Sequence, residues 1–390
     1  MISGGPHFLQ IPGPTNVPER VLRAIAAPTI DHRGPDFPPL ARRVLDGLQR
    51  VFGTRHPVII YPSSGTGAWE AALVNTLSPG DVVLAADTGH FATLWSEVAR
   101  RVGLAPEIIP GDWRSGIDPA AVADHLRRDM DRRIKAVMVV HNETSTGIAS
   151  PVPAVRAALD AAGHPALLLV DTVSSLGALD YRHDEWGVDV AVAASQKGLM
   201  LPAGLGFNAL SEKALAASRH AGLARAYWDW APILSANRDG SFPYTPATNL
   251  LFGLDTALAM LFAEGLDRVL LRHQRLAEAT RRAVAAWGLE LQARDPGEAS
   301  AAVTAVRLPD GQDADALRRL IRERYDMALG AGLGRLRGRV FRIGHLGHFN
   351  ELMLAGTLAG VELGIAEAGL AAQPRGVAAA MDYLRSARLG

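Results

Sequence analysis

The chain has no cysteine and almost no lysine. Its 390 residues include 40 lysines and arginines, yet only Lys135, Lys197 and Lys213 are lysine. The missing cysteine removes disulfides, thiolate metal sites and thiol nucleophiles together, and it fits a reducing, cytoplasmic compartment. Formal net charge is zero, so no global field favours nucleic acid or an anionic membrane. No apolar run is long enough to span a bilayer. The opening Met1-Ile-Ser-Gly-Gly-Pro-His7 lacks the basic-then-apolar pattern of a signal peptide. The closing Ala387-Arg-Leu-Gly390 does not end on a peroxisomal tripeptide. What remains is an ordinary globular composition, 48% apolar and 21% charged, long enough for two domains.

Scarcity makes each lysine informative. Arginine fills the basic surface positions, but it keeps its proton near neutral pH and cannot serve as an amine nucleophile. Lysine can, once its pKa is lowered. The apolar run Val188–Ala194, interrupted only by Asp189, has the length of a largely buried strand. Lys197 stands just past its end, with glycine- and proline-rich sequence following. Open α/β sheets bind ligands there. A Schiff-base lysine and a plain surface lysine both remain open at this point.

The rest of the chain alternates between strand and helix signals. An arm stiffened by Pro12 and Pro14 leads to a helix with Asn16 as its expected N-cap and Glu19 as the capping-box carboxylate. Asp31 to Pro35 reads as a loop and Arg42–Phe52 as a helix. Strands are expected at Val58–Tyr61, Val82–Ala85, Glu107–Ile109, Ala136–Val140, Leu167–Val170, Val188–Ala194 and Gly206–Leu210. Helices fall between them at Ala68–Leu77, Phe91–Val102, Pro119–Arg128 and Val152–Ala162. This alternation predicts a mostly parallel sheet with helices on both faces, an α/β fold. After Pro246 the texture changes. Helices at Leu250–Glu264, Asp267–Trp287, Ala314–Tyr325 and Leu352–Ala368 mix with strands at Ala302–Leu308 and Val340–Ile343. That predicts a smaller α+β domain. The expected division is an arm over 1–15, a large domain over 16–265 and a small C-terminal domain over 266–390.

Four clusters carry chemistry. Tyr61-Pro-Ser-Ser-Gly-Thr-Gly, between a strand and a helix, puts the hydroxyls and N–H groups of Ser64, Gly65 and Thr66 at a helix N-terminus, which suits a phosphate. It lacks the Walker lysine and the dinucleotide spacing. Leu167-Leu-Leu-Val-Asp171 ends a buried strand on a carboxylate, which needs a partner such as a protonated pyridine nitrogen. His141-Asn-Glu-Thr-Ser-Thr-Gly147 sets a polar cluster at a strand's carboxyl end. Arg342, between apolar neighbours, suits a substrate carboxylate through two parallel hydrogen bonds; the alternation Val340/Arg342 against Phe341/Ile343 leaves its face open. Each cluster also has a bland reading: N-cap turn, strand-end cap, turn chemistry, surface arginine. Gly330-Ala-Gly-Leu-Gly334 reads as a loop. His345 and His348 lack companion ligands, so no metal is expected. Together with Lys197, the four clusters match pyridoxal phosphate chemistry on an amino acid.

Seven runs, in this order, carry a resemblance. They are Pro12-Gly-Pro-Thr-Asn16, Ser64-Gly-Thr-Gly-Ala-Trp-Glu70, His141-Asn-Glu-Thr144, Val170-Asp-Thr-Val-Ser-Ser175, Ser195-Gln-Lys-Gly198, Pro243-Tyr-Thr-Pro-Ala-Thr248 and Val340-Phe-Arg-Ile-Gly-His-Leu-Gly347. The chain resembles the serine–glyoxylate and alanine–glyoxylate aminotransferases, class V members of the fold-type I pyridoxal phosphate enzymes, from about Phe8 to its last helix. The last two runs lean towards the serine–glyoxylate branch. The resemblance implies a sheet of the seven-stranded type, mostly parallel, in the large domain. It implies that Lys197 holds pyridoxal 5′-phosphate as a Schiff base and that Asp171 pairs with its ring nitrogen. Gln196 and Thr144 would bond near the ring's phenolic oxygen, with Thr144 also on the substrate side. Phe91 would stack on one face of the ring and Val173 on the other. Ser64, Gly65 and Thr66 would hold the phosphate, joined by Tyr244 and Thr245 from a second subunit. Arg342 would bind the substrate α-carboxylate. His32 and Arg33 would reach the partner's site near the substrate side chain; plant relatives carry tyrosine at the position of His32. The implied enzyme is a homodimer, or a dimer of dimers, with shared sites. It would transfer the amino group of L-serine to glyoxylate by a ping-pong route, giving hydroxypyruvate and glycine. Aspartate or alanine as donor, another pyridoxal reaction, and a non-catalytic subunit of the same fold remain as alternatives; cysteine desulfuration is excluded for want of a thiol.

Overall fold

The computed structural model describes residues 4–5, 7–370 and 375–387. Met1–Ser3 and Arg388–Gly390, where a signal peptide would begin and a peroxisomal tripeptide would end, lie outside the described residues. The strands are β1 Phe8–Gln10, β2 Val58–Ser63, β3 Val82–Ala86, β4 Ala105–Ile109, β5 Ile134–Val140, the short β6 Asn142–Glu143 and β7 Ile148–Ala149, β8 Leu167–Asp171, β9 Val190–Ala194 and β10 Gly204–Leu210, followed by β11 Glu290–Leu291, β12 Val303–Arg307, β13 Met327–Ala331 and β14 Val340–Gly344. The first four helices are α1 Glu19–Ile25, α2 Phe37–Phe52, α3 Gly65–Thr76 and α4 His90–Arg101.

Seven strands form the central sheet in the order β2-β10-β9-β8-β5-β3-β4. It is parallel except at β10, which runs antiparallel to both β2 and β9. Side chains alternate between two apolar layers, as a period of two demands. Leu168 and Val170 of β8 and Ala191 and Ala193 of β9 pack on one face with α2. Leu167, Leu169, Val190 and Val192 pack on the other with α3 and α4. Both faces are therefore dry. Polar groups collect at the carboxyl ends of the strands, where the crossover direction reverses between β3 and β5. Asp189, which interrupts the run at Val188–Ala194, lies just before β9. Its carboxylate accepts from Leu168 N at 2.8 Å and Ser211 Oγ at 2.9 Å, so the strand starts at Val190.

A second sheet runs β1-β13-β14-β12-β11. β1 pairs parallel with β13, which places the N-terminal arm in this sheet. Helices Leu266–Ala286, Ala314–Tyr325 and Glu351–Glu367 cover it with their apolar faces.

Several local expectations change. Asn16 does not cap α1: its amide donates to Leu9 O at 2.9 Å, and Pro18 takes the N-cap position without a side-chain bond. Asn16 lies two residues before the N-cap position, so its side-chain oxygen is not placed to accept from the first turn of α1. α2 starts at Phe37 rather than Arg42, because Pro38 and Pro39 occupy the first turn, where no N–H is needed. The glycine-rich run expected to be a loop begins inside β13. Gly330 is there for close approach, since a Cβ would stand 2.8 Å from Pro12 Cδ and 3.0 Å from Arg342 Cβ. Helices Glu212–Ser218, Trp230–Arg238 and Gly376–Ser386 had no expectation.

Four of the five buried histidines have pKa values lowered far enough to be neutral near pH 7. His273 uses Nδ1 on Val269 O and Nε2 on Gly347 N. His345 bonds Ala301 O and the Thr304 hydroxyl. His183 bonds the Tyr181 hydroxyl at 2.9 Å, and His141 packs against Tyr181 and Trp186. Burial is the main cause of pKa values lowered to about 4 for His141 and His183 and about 3 for His273 and His345. A histidine whose folded pKa lies below the unfolded value, about 6.5, adds stability above that value. The contribution is lost as pH falls through the folded pKa. Urea unfolding at pH 7.5, 6 and 5 is expected to show stability falling by up to about 1.4 kcal/mol per pH unit for each such histidine. His345→Gln should reduce that slope by about one proton; an unchanged slope would contradict the assignment.

Candidate active site

The lysine comes from the turn after β9. Ser195 N donates to Leu205 O at 3.0 Å and its hydroxyl to Pro202 O at 2.7 Å, closing the turn. Lys197 is then directed into a cavity of about 230 Å³. Its amine donates to Pro12 O, and the arm is held to the same turn by Thr15 N to Gln196 O at 3.1 Å and Thr15 Oγ1 to Lys197 O at 3.2 Å. Gly13, with φ +109°, lies so close that a Cβ would overlap the lysine amine. Burial, and secondly the Arg342 cation, lower the amine's pKa to about 8. The other two lysines are anchored on backbone carbonyls, Lys135 on Arg132 O and Lys213 on Ala166 O, both at 2.7 Å.

Asp171 closes β8 and lines the same cavity. One carboxylate oxygen accepts from Val173 N at 2.6 Å and the other from Trp69 Nε1 at 3.0 Å. The strand-end cap and the ligand-facing carboxylate are thus one residue in both roles. Asp171 is in none of the ion pairs found among the described residues. Burial raises its pKa to about 7. A protonated ring nitrogen would supply the missing cation.

The third part is the start of α3. Ser64 takes the N-cap position with extended backbone, but its hydroxyl makes no capping bond. The first N–H groups of α3 stay available beside the cavity that Ser64, Gly65 and Thr66 line, and the helix dipole favours an anion there. Gly65 is needed for packing: a Cβ would meet Val173 Cγ2 at 2.8 Å.

The segment after β5 completes the wall. Asn142 Nδ2 and Thr144 Oγ1 both donate to Ser174 Oγ, at 2.8 and 2.6 Å. Phe91, in the first turn of α4, also lines the cavity, as do Val173 and Gln196. The carboxamide oxygens of Gln196 and Asn142 are buried without a partner among the described residues. Unpaired acceptors at this depth call for donors on a ligand. Arg342 lies behind Thr144. Its Nη1 donates to Thr144 O and its Nε to Ala331 O, both at 2.8 Å, so it faces the site while Phe341 and Ile343 face the small core.

Five expected site residues do not line this chain's cavity: Arg342, held one layer behind Thr144, and four that lie farther off. The Tyr244 hydroxyl donates to Ile60 O at 3.1 Å, and its ring stacks on Tyr227 at 4.9 Å. Thr245 follows it. Arg33 is exposed, its N–H bonded to Asp31 Oδ1 at 2.9 Å. His32 sits on the same loop with Nε2 buried and unpartnered among the described residues. Conversely, the cavity includes Gly13, Pro14, Trp69, Asn142 and Ser174, to which the sequence reading assigned no role. All five lie within or beside the resembling runs, the one signal that could have flagged them.

The class-V aminotransferase profile matches residues 7–334. The chain belongs to the class-V aminotransferase family. It is 51% identical to the serine–glyoxylate aminotransferase of Methylorubrum extorquens, over 98% of this chain and 96% of that one. It is 45% identical to the L-aspartate–glyoxylate aminotransferase of Paracoccus denitrificans, over 99% and 97%. The crystal structure of the ureidoglycine–glyoxylate aminotransferase of Bacillus subtilis superposes with a TM-score of 0.89 at 27% identity, covering 98% of this chain and 99% of that one. The cofactor of this class-V enzyme is pyridoxal phosphate. The unpaired Asp171 carboxylate, the uncapped α3 N-terminus, the orphaned Gln196 oxygen and the buried amine fit its ring nitrogen, phosphate, ring substituents and aldehyde respectively. Among the described residues no helix is long and apolar enough to cross a membrane.

Gly13→Ala tests the arm's place in this site. The methyl must displace Lys197 and strain the backbone, at about 1–3 kcal/mol. The variant is expected to retain cofactor at least ten-fold less tightly in dialysis while its melting temperature falls by only a few degrees. Unaltered retention would remove the arm from the site.

Proposed function

We propose that the protein is a serine–glyoxylate aminotransferase, taking the amino group of L-serine and giving it to glyoxylate by a ping-pong route, with hydroxypyruvate and glycine as products. The observation that carries this reading is the convergence, in one 230 Å³ cavity, of the Lys197 amine, the Asp171 carboxylate and the α3 N-terminus, with the Arg342 guanidinium held behind Thr144. The 51% identity to a serine–glyoxylate enzyme over nearly the whole chain supports the choice of donor.

Pyridoxal phosphate, when bound, withdraws electrons from the amino acid's Cα and carries the amino group between the two half-reactions. The protein does the rest. The N–H groups of Gly65 and Thr66 and the Ser64 hydroxyl hold the phosphate. Asp171 keeps the ring nitrogen protonated. Phe91 and Val173, which line the cavity, would pack against the ring, and Gln196 and Thr144 would meet its phenolic oxygen. Arg342, its plane fixed by Ala331 O and Thr144 O, takes the substrate α-carboxylate through its remaining N–H groups. Lys197 Nζ removes the Cα proton and delivers it on the return step. Its pKa of about 8 leaves a usable share of free amine near neutrality.

Transfer from aspartate is the second reading, favoured by the 45% identity to an aspartate–glyoxylate enzyme. It needs a second cation at the substrate side chain, and Lys197 is the only cationic side chain lining this chain's cavity among the described residues. Arg33 and His32 would have to come from another copy. We therefore propose a homodimer in which the partner's loop at 31–35 and its Tyr244 and Thr245 complete each site; the position of these residues away from their own cavity supports this. The proposal includes a cytoplasmic location and a division into two domains near residue 265. The 82° bend between helices Thr248–Glu264 and Leu266–Ala286 supports the division.

The test is a half-reaction on the holoenzyme. Serine, aspartate or alanine is added alone, without a keto acid, and the visible band of the bound cofactor is followed. Serine is expected to bleach it fastest and glyoxylate to restore it. A faster response to aspartate would transfer the assignment to that donor, and no response to any of them would end the aminotransferase reading. Arg342→Gln should raise KM for serine about 10–100-fold, the worth of a charged hydrogen bond.

A further inference from the structure

The indole of Trp69 stands between the phosphate-binding end of α3 and Asp171. It is 3% exposed, and its N–H is spent on Asp171 Oδ2 at 3.0 Å. Its ring lies nearly parallel to Trp95 of α4, 5.8 Å away at 14°, which fixes the direction of that N–H. The neighbouring inward residues of α3 are small or aliphatic: Ala68, Ala71, Ala72 and Leu73. Filling space and stacking on Trp95 could be done by phenylalanine. The N–H is the part of Trp69 that phenylalanine lacks.

We infer that Trp69 is a positioning residue for Asp171, holding the carboxylate in one orientation and favouring its ionised form so that it pairs with the ring nitrogen of the cofactor. With Val173 N on the opposite oxygen, the carboxylate cannot rotate, and its remaining lone pairs are left to the cavity. The inference rests on the reading of Asp171 as the ring-nitrogen partner. Against burial, the Val173 N–H favours the ionised form most and the Trp69 N–H joins it, while the other neighbours are divided. Lys197, from the turn after β9, favours the ionised form, while burial and Glu143, from the segment after β5, oppose it. His141, whose backbone N–H donates to Asp171 O at 2.9 Å, is neutral and offers no charge. Arg342 is held away on Thr144 O and Ala331 O.

The experiment compares two ligands on full-length protein freed of cofactor. One is pyridoxamine 5′-phosphate, which forms no imine with Lys197; the other is its carbocyclic counterpart, with CH in place of the ring nitrogen. Dissociation constants are measured from pH 6 to 9 for the unsubstituted protein, Trp69→Phe and Asp171→Asn. The unsubstituted protein is expected to prefer the nitrogen-containing ligand. Trp69→Phe should lose about 10-fold of that preference, as for a hydrogen bond to a charged group, and move its pH limb upward, while its affinity for the carbocyclic ligand changes less than about 3-fold. Equal weakening of both ligands would mean that Trp69 only packs, and an unchanged preference would likewise overturn the inference. If the unsubstituted protein shows no preference, or Asp171→Asn retains it, the assignment of Asp171 itself fails. Should Trp69→Phe fold poorly, Trp69→His keeps a ring N–H and is expected to preserve more of the preference than Trp69→Leu; equal loss in both counts against the inference.

Discussion

A carboxylate at the end of a strand that is dry on both faces is the constraint around which this structure is arranged. Burying an unpaired charge costs several kcal/mol, so such a group must be met or neutralised. Asp171 is met halfway. Two N–H donors occupy its oxygens, yet burial still pushes it to about 7. The shortfall is one cation, and the cavity is built where that cation would sit. The site's charges are similarly few and held in low dielectric. Lys197 and Arg342 are both lowered, chiefly by burial, and Glu143 is raised for the same reason.

The parts around Asp171 are joined by contacts distant in sequence. Glu143 Oε2 accepts from Phe91 N and Ala92 N at 3.1 and 3.0 Å, and Ser145 Oγ accepts from His90 N at 2.9 Å. The segment after β5 therefore caps α4 and sets the position of the Phe91 ring. The extended arm packs with Pro12 against Gly330 of β13 and bonds the turn that carries Lys197. Glycine recurs at these crossings because backbone or side chain passes where a Cβ would sit, as at Gly13 and Gly330. One sheet presents the strand ends, and the other brings Arg342 to them.

Much of this was legible in one dimension. Continuous apolar runs of strand length alternating with helical periods could bury themselves only as a parallel sheet with helices on both faces. Strand ends then had to hold the polar residues that follow them, which placed Ser64, Thr144, Asp171 and Lys197 at one edge. The rarity of lysine in an arginine-rich chain, and the lack of cysteine, narrowed the chemistry further. The family resemblance added Phe91, Val173 and Gln196, and each of these does line the cavity.

The sequence by itself determined the type of most main elements and the chemical class of the site, because those follow from local period and residue type. Tertiary structure decided which groups meet. Periodicity could not say that Arg342 turns towards Thr144 rather than into the small core, since both faces of β14 are buried. Nor could it say that Asn16 tethers the arm through Leu9 and leaves the N-cap of α1 to Pro18, that a glycine-rich run begins as the end of β13, or that the Trp69 indole bonds Asp171 from another element. These outcomes depend on separations between residues far apart in the chain, and a hydrogen bond or a missing Cβ acts over a few ångströms that no spacing in sequence encodes.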